Sequence, residues 1–162
     1  MRIVGERHAD DRGYFERVFC ARDWAAAGMP RILQTNISYN RSRGTLRGLH
    51  YQMAPFAEDK VVTCVRGALY DVLVDLRSKE PRWVAVELTD TDPVSLFIPK
   101  GFAHGFQTLV DDTVVLYQMS AEYVVSSARG IRYDDPKLAI DWPLAAAIVS
   151  ARDREFPEWP GQ

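Results

Sequence analysis

The sequence predicts an all-β protein, a jelly-roll barrel or sandwich of short strands with a few short helices. Segments rich in β-branched residues alternate with turn residues about every 8 to 12 positions, as in β-sandwiches. Ten glycines and nine prolines are scattered along the chain and do not gather into a linker. A length of 162 residues suits one domain, and we expect a single domain over residues 1–162.

Two neighbouring segments, Lys60–Arg66 and Leu69–Leu76, have the composition of strands and are separated only by Gly67 and Ala68. We therefore expect them to form a hairpin. Further strands are predicted at Ile32–Asn40, Leu46–Met53, Trp83–Leu88, Ser95–Ile98, Gly105–Val110 and Val114–Ser120. Helix is predicted only at Asp23–Gly28, with Asp23 as the N-cap, and for a turn or two after Pro143.

The predicted hairpin would place three charges on one sheet face. With a two-residue turn, Lys60 faces Asp75 and Cys64 faces Asp71, so Lys60, Asp71 and Asp75 share a side. Charges that point into a barrel are costly unless they are paired. Two interpretations stay open: a solvated face with cross-strand ion pairs, or a functional mouth lined by these charges.

The composition excludes several classes of protein. Apolar residues make up 47% and charged residues 26% of the chain, typical of globular proteins, and no apolar run approaches the ~20 residues of a membrane span. A net charge of −2 without a basic block makes nucleic acid an unexpected partner. The first residues lack an apolar signal segment, and two cysteines are too few for a disulfide framework. We expect a cytoplasmic protein with no membrane partner.

Two of the three histidines lie in recognisable motifs. Five residues separate Gly44 from His50, and Pro99 to His104 follows the pattern Pro-x-Gly-x-x-His. Both motifs resemble the signatures of cupins, small β-barrels with a central cavity. Metal-binding cupins carry His-x-His in the first motif, but Gln52 stands at the second position here, which leaves too few imidazoles for the usual site. We expect no metal and a role for His50 in proton transfer.

A more specific resemblance covers nearly the whole chain. It is carried, in order, by Asp11–Phe15, Gln34–Ser38, Leu46–Gln52, Lys60, Gly67, Asp71–Arg77, Ile98–Phe106 and Ile140–Pro143. These motifs resemble the dTDP-4-dehydrorhamnose 3,5-epimerases and related nucleotide-sugar epimerases of the cupin superfamily. The resemblance implies a metal-free jelly roll without a cofactor, usually a homodimer with exchanged N-terminal strands. It implies a nucleotide-linked 4-keto-6-deoxyhexose as substrate.

The resemblance also implies four catalytic residues: His50 as the base, Asp153 as its orienting carboxylate, Lys60 facing the enolate, and Tyr117 as the proton donor. Each role is chemically reasonable. A carbon beside a ketone loses a proton when a base reaches it and the enolate oxygen meets a fixed positive charge. Inversion then requires a proton from the opposite face, which a phenol can supply. A carboxylate fixes the orientation and tautomer of a catalytic histidine.

Binding residues are predicted around this centre. Arg12 and Arg47 are candidates for the diphosphate, because guanidinium groups form bidentate bonds with phosphate. Gln34 and Asn36 are candidates for hydrogen bonds to substrate, and Phe15 for stacking. By resemblance, His104 lies near the cavity and Tyr123 packs near the sugar.

Some segments depart from the family pattern. Val124 and Val125 replace a stretch where proline is common, residues 77–83 are shorter than usual, and residues 40–43 are one residue longer. The sequence therefore leaves open whether C3, C5 or both are inverted, and which nucleotide is used. A single-position epimerase acting on another nucleotide sugar and a non-catalytic sugar-nucleotide-binding cupin remain alternatives. Gln52 argues against a metal-dependent cupin.

Overall fold

The computed structural model describes residues 1–159, and its regular secondary structure is nearly all antiparallel strand. The strands are β1 (Arg2–Val4), β2 (Arg7–Asp10), β3 (Gly13–Glu16), β4 (Gln34–Asn40), β5 (Thr45–Gln52), β6 (Lys60–Arg66), β7 (Ala68–Asp75), β8 (Trp83–Thr89), β9 (Val94–Ile98), β10 (Phe102–Thr108), β11 (Thr113–Met119), β12 (Ala128–Gly130) and β13 (Ile148–Val149). The helices are α1 (Ala21–Ala26) and α2 (Ala151–Arg154).

Two sheets face each other as a sandwich. The first has the strand order β1-β9-β6-β11-β4, and the second has the order β12-β5-β10-β7-β8, with β13 added in parallel to β5. Residues of both sheets share one apolar core, to which Val62 and Val115 contribute from the first sheet and Leu73 and Phe106 from the second. The β2–β3 hairpin pairs only with itself. The predicted all-β jelly-roll class is confirmed.

The outer face of the second sheet is covered by the C-terminal part of the chain. Leu49 and Val74 pack there against Ile131, Leu138 and Trp159, and all five are almost completely buried. This layer matters for function because it fixes the segment that carries α2 beside β5.

The predicted hairpin between residues 60–66 and 69–76 is wrong. β6 pairs with β9 and β11, whereas β7 pairs with β8 and β10 in the other sheet. Gly67, at a φ of +84° that favours glycine, carries the chain from one sheet to the other. Lys60 and Asp71 are therefore buried on opposing sheets, and Asp75 pairs with Arg77.

The other predicted strands are present with shifted ends; for example, β10 begins at Phe102 and not at Gly105. The helix predictions are less accurate. The first helix begins at Ala21, and Asp23 lies in its first turn, while the N-cap residue Cys20 makes no side-chain cap. No helix begins directly after Pro143, where the side chain of Gln107 bonds both the N–H and the carbonyl of Leu144; the one-turn helix α2 begins only at Ala151. In the described part of the chain, no helix is long and apolar enough to span a membrane.

Candidate active site

A cavity of about 310 Å³ lies between the two sheets. Its wall contains residues of both, together with the loops before β6 and β12 and helix α2. The lining residues are Asn36, Ile37, Ser38, Arg47, His50, Tyr51, Gln52, Glu58, Lys60, His104, Phe106, Tyr117, Met119, Tyr123, Ala128, Arg129 and Arg152. Seven of the predicted site residues therefore meet in this wall, namely Asn36, Arg47, His50, Lys60, His104, Tyr117 and Tyr123.

His50 is paired with a buried carboxylate. Its Nε2 lies 2.8 Å from Oδ1 of Asp153, across 103 residues of sequence. The His50 side chain is 42% exposed, whereas that of Asp153 is only 6% exposed. The second ring nitrogen, Nδ1, is therefore the atom of this pair that can face a substrate.

Asp153 is fixed by its own neighbours. It lies in the first turn of α2, where its N–H donates to the Oγ of the N-cap residue Ser150. Its Oδ2 accepts from the N–H of Gly48, two residues before His50 on β5. Burial raises the pKa of Asp153, but the bonds and charge of its partners outweigh burial and hold this pKa below its usual value. The carboxylate thus stays ionised and oriented toward the imidazole.

Lys60, at the start of β6, brings a positive charge into the cavity. Its side chain is 9% exposed, and its Nζ lies 2.9 Å from Oε1 of Glu58. A second, longer contact of 3.4 Å joins Nζ to the backbone carbonyl of His50. Because an ammonium has three N–H donors, this geometry leaves one for a ligand oxygen.

Tyr117 enters the cavity from the sheet opposite His50, the sheet that also carries Lys60. It lies on β11, paired in register with Val62 of β6 and Asn36 of β4. Burial raises the pKa of Tyr117 far above its usual value, and the nearby charge of Asp71 adds to this effect. The phenol therefore keeps its proton at neutral pH and can donate it.

His104 forms a second histidine–carboxylate pair. Its Nε2 lies 2.6 Å from Oδ1 of Asp71, and the two side chains are 5% and 0% exposed. The ring of His104 also packs edge-on against Tyr117, with 6.2 Å between centroids. The Oδ2 atom of Asp71 has no hydrogen-bond partner among the described residues. The negative charge of Asp71 therefore lies beside His104 and close enough to Tyr117 to raise the pKa of its phenol.

Polar side chains surround the mouth of the cavity. Arg47 Nε donates to Oδ1 of Asn40 at 2.7 Å, and Arg152 Nη1 donates to the hydroxyl of Tyr123 at 3.1 Å. Within residues 1–159, neither guanidinium forms an ion pair with a carboxylate. Both charges are therefore available to an anion.

Comparison with known proteins identifies the family. The family described as dTDP-4-dehydrorhamnose 3,5-epimerase matches residues 1–160. The chain belongs to this epimerase family. The enzyme of that name from Sinorhizobium fredii is 41% identical over 161 residues, which cover 96% of this chain and 82% of the relative.

Solved structures agree with this epimerase assignment. The dTDP-4-dehydrorhamnose 3,5-epimerase of Bacillus anthracis, solved with TDP and PPi bound, superposes with a TM-score of 0.92 at 37% identity, covering 97% of this chain and 92% of that one. A 3,5-epimerase from Legionella pneumophila, solved with dTDP-4-keto-L-rhamnose, gives a TM-score of 0.90 at 36% identity, covering 98% and 86%. The chain is thus an isomerase with the cupin-type fold.

Three predicted binding residues of the epimerase do not line its cavity. Arg12 lies in the β2–β3 turn, where its side chain is 89% exposed and pairs with Asp10. Phe15 lies on β3 and is 66% exposed. Gln34 uses its Oε1 to accept from the N–H of Tyr123 and its Nε2 to donate to Asn36. In this chain Gln34 supports the residues that line the cavity.

Other polar residues of the epimerase site were missed by sequence reasoning. Glu58 precedes Lys60 by two positions, a spacing that places two side chains on one face of an extended segment. Arg152 adjoins Asp153 in the chain, and the sequence predicts Asp71 as a charge on one face with Lys60 and Asp75 and as the start of a family motif, but not as the partner of His104. Their partners could not be seen, because each contact joins different elements.

Gln52 occupies the position that holds a histidine in metal-binding cupins. Its Nε2 donates to Glu58 Oε2 and to the carbonyls of Phe56 and Glu122, and its Oε1 accepts from the N–H of Val124 at 2.7 Å. All its polar atoms are therefore used within the fold. Among residues 1–159, no group of three or more His, Cys, Asp or Glu side chains is placed to hold a metal ion.

Proposed function

We propose that this epimerase inverts C3, C5 or both in a dTDP-linked 4-keto-6-deoxyhexose. The observation that carries this proposal is the pairing of His50 with Asp153 on one wall of a cavity whose other wall supplies Tyr117 and Lys60. A base and an acid from opposing sheets suit a reaction that removes a proton from one face of a carbon and returns one to the other.

The proposed reaction proceeds in two proton transfers. Nδ1 of His50 takes the proton from the carbon beside the C4 ketone, and the C–H electron pair forms the C=C bond while the carbonyl electrons move to the C4 oxygen. Lys60 donates a hydrogen bond to that enolate oxygen. The enolate then collapses as Tyr117 gives its proton to the opposite face of the carbon. Exchange with water restores both side chains.

The diphosphate is assigned to the mouth of the cavity. Arg47 and Arg152 carry charges there that no carboxylate neutralises within the described residues, and a guanidinium binds phosphate in a bidentate manner. His104 and Tyr123 are assigned to the sugar.

We further infer a homodimer in which the β2–β3 hairpin of one subunit reaches the site of the other. Arg12 and Phe15 are strongly exposed on a hairpin that pairs only with itself. Within its own chain Arg12 pairs only with Asp10 of the same turn, and a partner site would bury both Arg12 and Phe15. We also propose a cytoplasmic location for the enzyme, as the sequence predicts.

The test is proton NMR of dTDP-4-keto-6-deoxyglucose in D₂O with the purified protein. We expect the C3 and C5 signals to disappear as epimerised product accumulates; exchange at C3 alone would identify a single-position epimerase. The His50→Ala variant should bind dTDP but catalyse no exchange. Wild-type exchange by that variant would refute the assignment of the base, and dTDP binding by the wild type without exchange would support the non-catalytic alternative.

A further inference from the structure

Glu58 is a buried charge in the cavity that the mechanism above does not use. Its side chain is 3% exposed, and its Oε1 lies 2.9 Å from Nζ of Lys60. We propose that Glu58 is a positioning residue, which holds the ammonium of Lys60 where the C4 enolate oxygen forms. This inference rests on the proposed epimerase function.

Glu58 is itself held in place from the opposite side. Gln52 donates from Nε2 to Oε2 of Glu58, so the two carboxylate oxygens are bound by different partners. Gln52 is in turn bonded to the carbonyls of Phe56, at 3.0 Å, and Glu122, at 3.1 Å. A carboxylate fixed at both oxygens cannot rotate, and it therefore presents Oε1 to Lys60 in one orientation.

The need for such an anchor follows from the properties of lysine. Its side chain is long and flexible, and holding it in one rotamer costs conformational entropy. An ammonium that is removed from water also requires a counter-charge. Glu58 meets both requirements for Lys60, because its charge-assisted bond fixes the ammonium and compensates its charge.

The remaining contacts of Lys60 indicate what is being positioned. One N–H points to Glu58 and another to the backbone carbonyl of His50 at 3.4 Å, so the ammonium is oriented relative to the base itself. The third N–H is left for the cavity. An enolate stabiliser acts most effectively when it is already oriented before charge develops.

Gln52 also holds the backbone next to Tyr123, which we assign to the sugar. Oε1 of Gln52 accepts from the N–H of Val124, next to Tyr123 in the chain. Gln52 is therefore linked to Lys60 through Glu58 and also bonds the backbone beside Tyr123, although Lys60 and Tyr123 lie in different parts of the fold.

A double-mutant cycle tests this inference. In Glu58→Ala we expect kcat for C3 proton exchange to fall about 10- to 100-fold, the usual effect of a hydrogen bond to a charged group, with KM changed less than about twofold. Lys60→Met should lose more. Because Glu58 acts through Lys60, adding Glu58→Ala to Lys60→Met should cause no further loss. Glu58→Gln, which keeps an acceptor oxygen, should show an intermediate kcat.

Controls keep the outcomes separate. Glu87→Gln alters an exposed glutamate on β8 and should match the wild type. Titration with dTDP shows whether each variant retains its fold, and the isosteric Glu58→Gln variant decides the question if Glu58→Ala does not fold. Wild-type kcat in the folded Glu58 variants, or an equal loss from Glu58→Ala with and without Lys60, overturns the inference. Absence of exchange in the wild type would instead refute the proposed function.

Discussion

His50 and His104 are direct cross-strand partners on β5 and β10, and each imidazole is held by a buried carboxylate from another element. Opposed residues of an antiparallel pair project to the same face, so both rings face the cavity. They differ in accessibility, because the side chain of His50 is 42% exposed and that of His104 is 5% exposed. This difference supports His50 as the base and His104 as a deeper contact for the sugar.

Asp153→Asn should reduce kcat strongly. The amide has nearly the same shape but presents a donor or a neutral acceptor to Nε2 of His50, so the imidazole loses its charged partner and its preferred tautomer. By analogy with hydrolase triads we expect a loss of about 10²- to 10⁴-fold in kcat. The measurement is the rate of C3 exchange at saturating substrate. Asp134→Asn, at an exposed pair with Arg132, is the control; equal rates in the two variants would contradict the role.

Asp153 should also contribute to stability in a pH-dependent manner. Burial opposes its ionisation, but the bonds to His50, Gly48 and Ser150 lower the pKa overall in the folded protein. The unfolded chain therefore takes up this proton first, near pH 4, and the stabilisation present above that pH is lost on further acidification.

The free energy of unfolding of Asp153→Asn should consequently fall less steeply than that of the wild type between about pH 5 and pH 3. Urea titrations at several pH values in this range measure both curves. Parallel curves would show that the carboxylate has an ordinary pKa in the fold.

Tyr117→Phe should separate exchange from inversion. Burial, followed by the charge of Asp71, raises the pKa of Tyr117, so the wild-type phenol is a proton donor throughout neutral pH. Without the hydroxyl, His50 can still remove a proton and return a solvent deuteron to the same face. We expect deuterium exchange to persist while epimerised product falls by about 10²- to 10⁴-fold. NMR of substrate and product in one tube checks both, and normal product formation would assign the donor elsewhere.

Arg152→Gln should weaken binding and leave chemistry largely intact. This guanidinium lies at the cavity mouth, bonds the hydroxyl of Tyr123 and has no carboxylate partner among the described residues. We expect KM to rise about tenfold with kcat reduced less, consistent with a lost charge-assisted bond to phosphate. Arg154→Gln changes an exposed arginine of the same helix and should leave KM unaltered. Equal KM values in the two variants would remove Arg152 from the binding site.

Mixed dimers should reveal whether Arg12 serves the partner's site. Arg12→Ala and His50→Ala homodimers are both expected to be impaired. If Arg12 crosses to the other subunit, a heterodimer of the two variants contains one site with His50 from one chain and Arg12 from the other, both intact. Co-expression with two affinity tags yields that heterodimer, and recovered activity is expected. A heterodimer without recovered activity would show that Arg12 does not serve the site of the partner subunit.

The extent of sequence prediction differed between local and distant features. Strand composition located most of the sheets, and the glycine–histidine spacings located His50 and His104. The connection at Gly67 was misjudged because a turn that joins two strands of one sheet and a turn that crosses between sheets use the same residues. Asp153, 103 residues from His50, could be proposed only through the family resemblance.

Contacts between polar side chains were the least predictable feature. The pairing of Asp71 with His104 depends on a diagonal relation between β7 and β10, and that of Arg152 with Tyr123 on where a short helix docks. Nothing in local composition encodes such distances. The sequence shows that Glu58 is acidic, but its role depends on contacts with Lys60 and Gln52, which reach it from separate strands.

The placement of Asp153 on the last helix has a consequence for the enzyme while its chain is being synthesised and folded. A nascent chain that ends before α2 contains every strand of both sheets, yet His50 lacks its carboxylate partner. The edge-on contact of Phe156 with His50, at 5.6 Å, and the bond from the N–H of Trp159 to Asp135 attach this terminal segment to the body of the fold. With the proposed mechanism, catalytic competence arises only when the C-terminal segment has docked, so that activity itself reports complete folding.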